Sequence, residues 1–344
     1  MMEKKQTRKV QFTGGSTYIV SLPVDWIREM DIQQGDELFF SRQQDNSLAI
    51  SPKKKPRNDF NSTTIIVDPA DKKVDILRLL ISHYLVGYDK LKLVFNGKYA
   101  ADDRKWIKES VRKRLIALEV VEESSDWVMF QSLLNYNQFP LNKAMSNILR
   151  IVRSMQNDSK KALLELDRNV ASEVIQRDIE VDRFYLLIVR QLKAVLRNPE
   201  LASDLGLANV RECLGYRLVV KNVERIADHA ENVAKFSLKI DRINPEIHDL
   251  ISSIYELNEI IFNNIIECLE GKDRKIVNKI IDDSQRSIAL GRELDEMILN
   301  DDNLSGRIFL NSVSESLKRM AGYSADISEV ILNMSVKEPD FNTQ

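Results

Sequence analysis

The sequence predicts a multi-domain chain: a small all-β domain, an α+β spacer, and an all-α half built as a pair of three-helix bundles. Three observations carry that expectation. From Arg8 to Pro52, short β-prone runs are separated by Gly, Pro and Asp-Asn turns. From Asn58 to Leu134, β-prone runs alternate with two amphipathic helical stretches. From Pro140 onward, the helical period holds almost to the end. The expected boundaries are 1–57, 58–138, 139–243 and 244–338. A chain of 344 residues is long for one domain, and 43% hydrophobic residues can fill several cores.

Composition narrows the function classes. A net charge of -2 excludes a globally basic nucleic-acid binder but leaves room for a local basic segment. Cys213 and Cys268 stand in no metal or redox spacing, which fits a reducing cytoplasm. No apolar run follows Lys4, Lys5, Arg8 and Lys9, and none reaches the roughly 20 residues of a membrane span. A cytoplasmic protein, not integral to a membrane, is expected.

In the first domain, Lys9 to Phe12 and Thr17 to Leu22 read as strands around Gly14-Gly15-Ser16, with Pro23 as a stop. Asp25 to Met30 reads as one or two helical turns, and Glu37 to Ser41 and Ser47 to Ser51 as two further strands. So few residues bury little surface alone, and dimerisation is the expected remedy. Lys4, Lys5, Arg8 and Lys9 bring positive charge to one edge, suited to phosphate contacts when doubled in a dimer. Gly15, Ser16 and Thr17, with Gly14, would let backbone N–H groups approach the same phosphates. The plain alternative is a solubilising tail. Lys53-Lys54-Lys55-Pro56-Arg57 reads as a charged linker.

Gly-Gly-Ser-Thr-x-x-Val-Ser-Leu-Pro-x-x-Trp at Gly14 to Trp26, Gly35-Asp36-Glu37-Leu38, and Ser47 to Pro52 resemble the AbrB/SpoVT-like swapped-hairpin domain. The resemblance implies two interlaced chains whose basic face binds DNA. Ser21 departs from the pattern, since many DNA-binding members carry a basic residue there.

The spacer reads βαβαββ: strands at Thr63–Val67, Leu91–Phe95, Ala117–Glu122 and Trp127–Leu134, helices at Val74–Val86 and Ala101–Leu115. That order predicts an open-faced sheet with helices on one side. The basic second helix (Arg104, Lys105, Lys108, Arg112, Lys113, Arg114) is offset by Asp102, Asp103 and Glu109, so it reads as a solvated face. Trp106 and Trp127 read as core residues, and His83 as structural.

Breaks near Asp167, Pro199, Pro245, Gly271 and Asp302 divide the remainder into helices at about 140–166, 170–197, 205–241, 246–270, 273–299 and 303–336. Three plus three predicts two bundles placed end to end. Val223 to His229 aligns with Leu317 to Tyr323 as a degenerate repeat.

Glu224, Asp228 and Asn232 recur every fourth residue and form one ladder of oxygen ligands; Asp178 and Asp182 repeat that spacing one helix earlier. With 52 acidic residues in 344, such a pair arises by chance about eight times, so neither is informative alone. Convergence of both pairs on neighbouring antiparallel helices would make a hard, oxygen-rich site for Mg, Mn, Fe or Ca. Ordinary solvated carboxylates remain the alternative. His229 lies about 100° round the helix from Asp228, as a group behind the ladder.

Val174 to Asp182 and Asn222 to Asn232 resemble the PhoU family of phosphate-uptake regulators, over roughly residues 140–336. Its acidic metal motif maps onto Asp178/Asp182 and Glu224/Asp228, implying a divalent or trivalent metal such as Mg, Mn or Fe. In the second repeat Lys318 and Gly322 replace one pair, and Ser284 and Ile288 the other. Metal is therefore expected in the first repeat only.

No nucleophile, base and acid gather in the sequence, and no phosphate loop appears, so an enzyme is not expected. Taken with the resemblances, the expected function is a DNA-binding, homodimeric transcriptional regulator of phosphate or related ion uptake. Its helical module would bind metal, dock a partner (a phosphate transporter or sensor-kinase component), or both. The alternatives are an accessory protein that negatively regulates a membrane transporter without binding DNA and, further off, a metal-dependent hydrolase.

Overall fold

The computed structural model describes residues 7–42, 47–52, 61–135, 139–271, 274–301 and 304–336. Lys4, Lys5 and the Lys53–Arg57 linker lie outside them. The chain divides into two compact units, Met1–Phe60 and Asn61–Gln344.

The first unit contains β1 (Gln11–Thr13), β2 (Thr17–Ile19), helix α1 (Val24–Glu29), β3 (Leu38–Arg42) and β4 (Leu48–Pro52). β1 pairs with β2, and β3 with β4, as two antiparallel hairpins. The first hairpin turns through Gly14 and Gly15, whose φ of 61° and 77° are left-handed values that glycine adopts without strain. None of its described residues is buried. Phe12, Tyr18 and Phe40 are 59%, 72% and 60% exposed. So few residues in such short strands leave much apolar surface uncovered on one chain.

The second unit opens with β5 (Ser62–Val67), α2 (Lys73–Val86), β6 (Lys90–Phe95), α3 (Ala101–Arg114), β7 (Leu118–Glu123) and β8 (Trp127–Ser132). They form the expected sheet, in the order β5-β6-β8-β7, with β5 and β6 parallel and the other pairs antiparallel. Alternate residues Ile65, Leu91, Leu93, Val128 and Phe130 meet Ile76, Leu80, Tyr84, Ile107 and Val111 of the helices in one core. Trp106 packs against that core. Trp127 does not: the alternation along β8 puts Val128 and Phe130 in the core and turns Trp127 to the opposite face, where Lys92 lies 4.5 Å from its ring centroid. The basic helix α3 is neutralised as its composition implies, by Lys105–Glu109, Lys108–Glu123 and Arg112–Glu119 pairs.

The helical part comprises α4 (Leu141–Leu164), α5 (Arg168–Arg197), the short α6 (Leu201–Asp204), α7 (Glu212–Ser237), α8 (Pro245–Gly271), α9 (Arg274–Leu299) and α10 (Leu304–Ser335). Asp167 begins α5 by accepting N–H bonds from Asn169 and Val170 at 2.9 and 3.1 Å. α7 starts later than the periodicity implies. Gly206 (φ 79°) turns the chain after α6, and Asn209 then accepts the Glu212 N–H while the Glu212 carboxylate accepts from the Ala208 N–H.

The two bundles lie side by side, not end to end. Gly215 faces Met334, His229 faces Tyr323 and Phe236 faces Phe309, so α7 and α10 run antiparallel against each other over most of α7. One continuous core runs through both bundles. The reason is that α7 is apolar on two sides: Val219, Val223, Ile226, Ala230 and Val233 form one buried stripe, and Val220, Ala227 and Ala234, further round the helix, a second.

Arg190 of α5 ties the sheet domain to the helices. Its fully buried guanidinium donates to the carbonyls of Tyr84 and Tyr88 and, at 2.8 Å, to Asp89 Oδ1, and stacks over the Tyr84 ring. Two turns on, Arg197 donates to the Val86 carbonyl at 3.3 Å, so two arginines satisfy carbonyls at the C-terminus of α2. Arg190→Ala removes the cation that pairs with Asp89 and the guanidinium donors to two carbonyls, and should lower the unfolding free energy by about 3 kcal/mol in urea titration. The more exposed Arg197→Ala should cost less than about 1 kcal/mol.

Candidate metal centre

Two helices that cannot separate set the geometry. α5 and α7 pack antiparallel and share one buried core, to which α5 gives Val174, Val181 and Ile188, and α7 gives Val220 and Ala227 on the side nearest its carboxylates. The Arg217 guanidinium donates to the Tyr185 hydroxyl at 2.9 Å, fixing the register at one end. From there Asp182 falls beside Glu224, and Asp178 beside Asp228 and Glu231. The two sequence pairs therefore face one another across a single seam.

Glu231 is the member that the every-fourth-residue ladder passes over. It lies about 20° from Glu224 around α7, whereas Asn232 lies about 80° away on the margin. Glu231 is also the largest charged influence on Asp178. The signal for it in the sequence is the i, i+7 spacing. His229 turns to the other side of α7, with its ring 5.8 Å from that of Tyr323.

The seam is short of positive charge. Burial, then Glu231, Asp182 and Asp228, push Asp178 up to about 7; burial and Glu224 push Asp228 up to about 6. Asp182 is raised by burial and Glu224, with Arg114 opposing from 4.0 Å. Lys221 pairs with Glu224 and Lys235 with Glu231, one at each end. Among the described residues, no three His, Cys, Asp or Glu side chains are arranged as ligands of one ion. The donor set nevertheless fits a hard cation: oxygen ligands only, partly desolvated, with more negative charge than the two lysines neutralise. Binding would require the carboxylates to rotate inward and the lysines to yield.

The second repeat answers the same electrostatic problem with a cation of its own. Lys318 of α10 pairs with Asp295 of α9 at 2.6 Å, and Ser314 donates to the same carboxylate. Ser284, at one of the substituted positions, is buried.

In the first unit, Arg8, Lys9, Gly15, Ser16 and Thr17 are all exposed. The structure separates them into two groups. Arg8 and Lys9 precede β1, while Gly15 and Ser16 form the far tip of the hairpin, roughly 15–20 Å away along an extended strand. Within one chain they do not share a phosphate. Elsewhere, an open groove of about 1340 Å³ runs between α5, α7 and α10, with Leu192, Leu196, Leu214, Leu218 and Met334 among its lining. No helix among the described residues is long and apolar enough to cross a membrane.

The pH dependence of the metal-free protein follows from these shifts. The folded values of Asp178 and Asp228 lie above the ordinary 3.8, so the folded chain holds protons that the unfolded chain has released. That contribution to stability is intact near pH 4 and lost as pH rises to about 7. Asp178→Asn, in chelator, should equal the parent in urea titrations near pH 4 and exceed it increasingly up to pH 7.

Comparison with known proteins accords with both units. Residues 145–237 match the PhoU domain family, and residues 11–58 match the family described as antidote-toxin recognition MazE, bacterial antitoxin. A phosphate-specific transport system accessory protein PhoU homolog of Xylella fastidiosa (strain 9a5c) is 26% identical over 202 residues, covering 56% of this chain and 83% of that protein. The homolog of Borreliella burgdorferi is 26% identical over 208 residues, covering 56% and 87%. The PhoU structure from Streptococcus pneumoniae superposes with a TM-score of 0.52 at 16% identity, over 58% of this chain and 94% of the other. That from Pseudomonas aeruginosa gives 0.50 at 19% identity, over 56% and 94%. At these identities the superpositions speak for the fold. The chain thus carries a PhoU domain, within a PhoU-like helical half, behind an amino-terminal domain of the MazE and AbrB type.

Proposed function

We propose that this protein is a homodimeric, DNA-binding regulator of phosphate or related ion uptake, whose PhoU-like half carries a metal-binding seam and a partner-docking groove. The observation that carries the reading is the union, in one chain, of a MazE/AbrB-type unit with a PhoU domain whose relatives are named as phosphate transport accessory proteins. Support for the dimer is the first unit's uncovered apolar surface, which a second copy would cover. Support for DNA is the exposed Arg8 and Lys9, doubled across such a dimer. Docking of a transporter or sensor component without DNA binding is the second reading; the apolar groove beside α10 favours it.

The metal in this proposal is Mg, Mn or Fe, held by Asp178, Asp182, Glu224 and Asp228, with Glu231 in the role assigned to Asn232 by the sequence ladder. Bound there, it would relieve the repulsion between α5 and α7. Because Asp178 holds a proton near pH 7 and Asp228 near pH 6, loading would release protons and strengthen between pH 6 and 7. Arg114 of α3 stands 4.0 Å from Asp182, so a cation in the seam would repel it and report occupancy to the sheet domain.

Titration of the full chain with its own promoter-region DNA at several salt concentrations tests the DNA reading. Affinity should fall with salt, and replacing Lys4, Lys5, Arg8 and Lys9 by Ala should reduce the log–log slope by about 0.9 for each phosphate no longer neutralised. A dimeric chain that shows no salt-dependent binding would leave the accessory reading in its place.

A further inference from the structure

The sheet of the second unit has a face that the helices leave open, and its chemistry is wrong for water. α2 and α3 cover one face. The alternation of the strands places Thr64 and Ile66 of β5, Lys92 and Val94 of β6, and Trp127 and Met129 of β8 on the other. An antiparallel sheet with one solvated face normally turns polar residues outward. Here Ile66 is 66% exposed, and the register sets it in a row with Val94 and Trp127. The next row reads Thr64, Lys92, Met129, Glu122 across the sheet. Glu122 is exposed at the bulge of β7, and no cation among the described residues pairs with it.

We propose that this open face packs against the same face of a second copy of the chain, as a two-layer sheet sandwich. The charges choose that occupant. A two-fold axis parallel to the strands, passing midway between β6 and β8, lays each Lys92 over Met129 of the other copy, one strand from its Glu122. Two symmetric Lys92–Glu122 pairs result as each Lys92 ammonium swings off the Trp127 ring of its own chain, 4.5 Å from the ring centroid, and each Val94 then meets the opposing Trp127. Nucleic acid would meet Glu122 in the same row as Lys92, and so fits less well.

The size of the face decides how the two sheets can associate. Four strands about 4.8 Å apart and six residues long present roughly 400 Å² of sheet. A freestanding interface needs about 800 Å² per partner. The sandwich therefore forms only between chains already joined elsewhere, and this rests on the dimeric first unit proposed above. Eight residues separate Pro52, the end of β4, from Asn61, just before β5. So short a connection keeps the local concentration of a second sheet high.

The test uses the full chain and a short bis-maleimide cross-linker. Cys213 and Cys268 are buried and react slowly. Met129→Cys should link between chains, and Arg78→Cys, exposed on α2, should not. Lys92→Glu and Glu122→Lys should each weaken the dimer about tenfold in sedimentation, since each breaks two surface pairs, and mixing the two variants should restore it. A dimer in which Met129→Cys stays unlinked and Lys92→Glu leaves dissociation unchanged overturns the sandwich while leaving the dimeric first unit standing. The same holds if Lys92→Glu weakens DNA binding and leaves the dimer intact. A chain that is monomeric throughout overturns both.

Discussion

The antiparallel packing of α5 with α7 is the constraint on which the rest depends. The core that α5 and α7 share, with Val174 and Val181 on one and Val220 and Ala227 on the other, closes the helices, and the same closure brings Asp178, Asp182, Glu224, Asp228 and Glu231 to face one another. On one isolated helix, like charges at this spacing cost a few tenths of a kcal/mol. Brought together from two helices and partly removed from water, they shift far enough for Asp178 to hold its proton near neutrality. Hydrophobic closure thus holds an unfavourable electrostatic arrangement in place, a form of strain that a cation is suited to release.

The two repeats meet the same difficulty differently. In the second, the ammonium of Lys318 lies within the protein and pairs with Asp295. In the first, Lys221 and Lys235 stand at the ends of the seam and leave Asp178 and Asp228 between them. One repeat is electrostatically complete and the other conditional. Because α10 packs along α7, the conditional bundle leans on the complete one. Through Arg190 and Arg197, α5 also holds the end of α2. A change in the seam therefore meets rigid packing on both sides.

Much of this is legible in the residues. The breaks at Asp167, Pro245 and Gly271 place the helices, because caps and prolines act locally. The alternation in β6 and β8 places the sheet for the same reason. What the sequence hides depends on packing between distant segments. The side-by-side bundles follow from α7 being apolar on two sides, and periodicity does not say which partner covers which side. Arg190 looks like any arginine on a helix until the end of α2 arrives beneath it. Trp127 reads as core by its size, although the pleat sends it outward. Glu231 yields to Asn232 in the sequence reading because an every-fourth-residue ladder drifts around the helix, and i+7 returns closer to the starting face than i+8.

Whether the first-repeat seam holds a metal decides the functional reading of the helical half. Metal analysis of the purified full-length chain, set against an Asp178→Ala, Glu224→Ala double variant, measures this directly. Bound Mg, Mn or Fe is expected in the parent and its loss in the double variant, with both proteins folded. Equal metal content in the two would contradict a metal-binding seam.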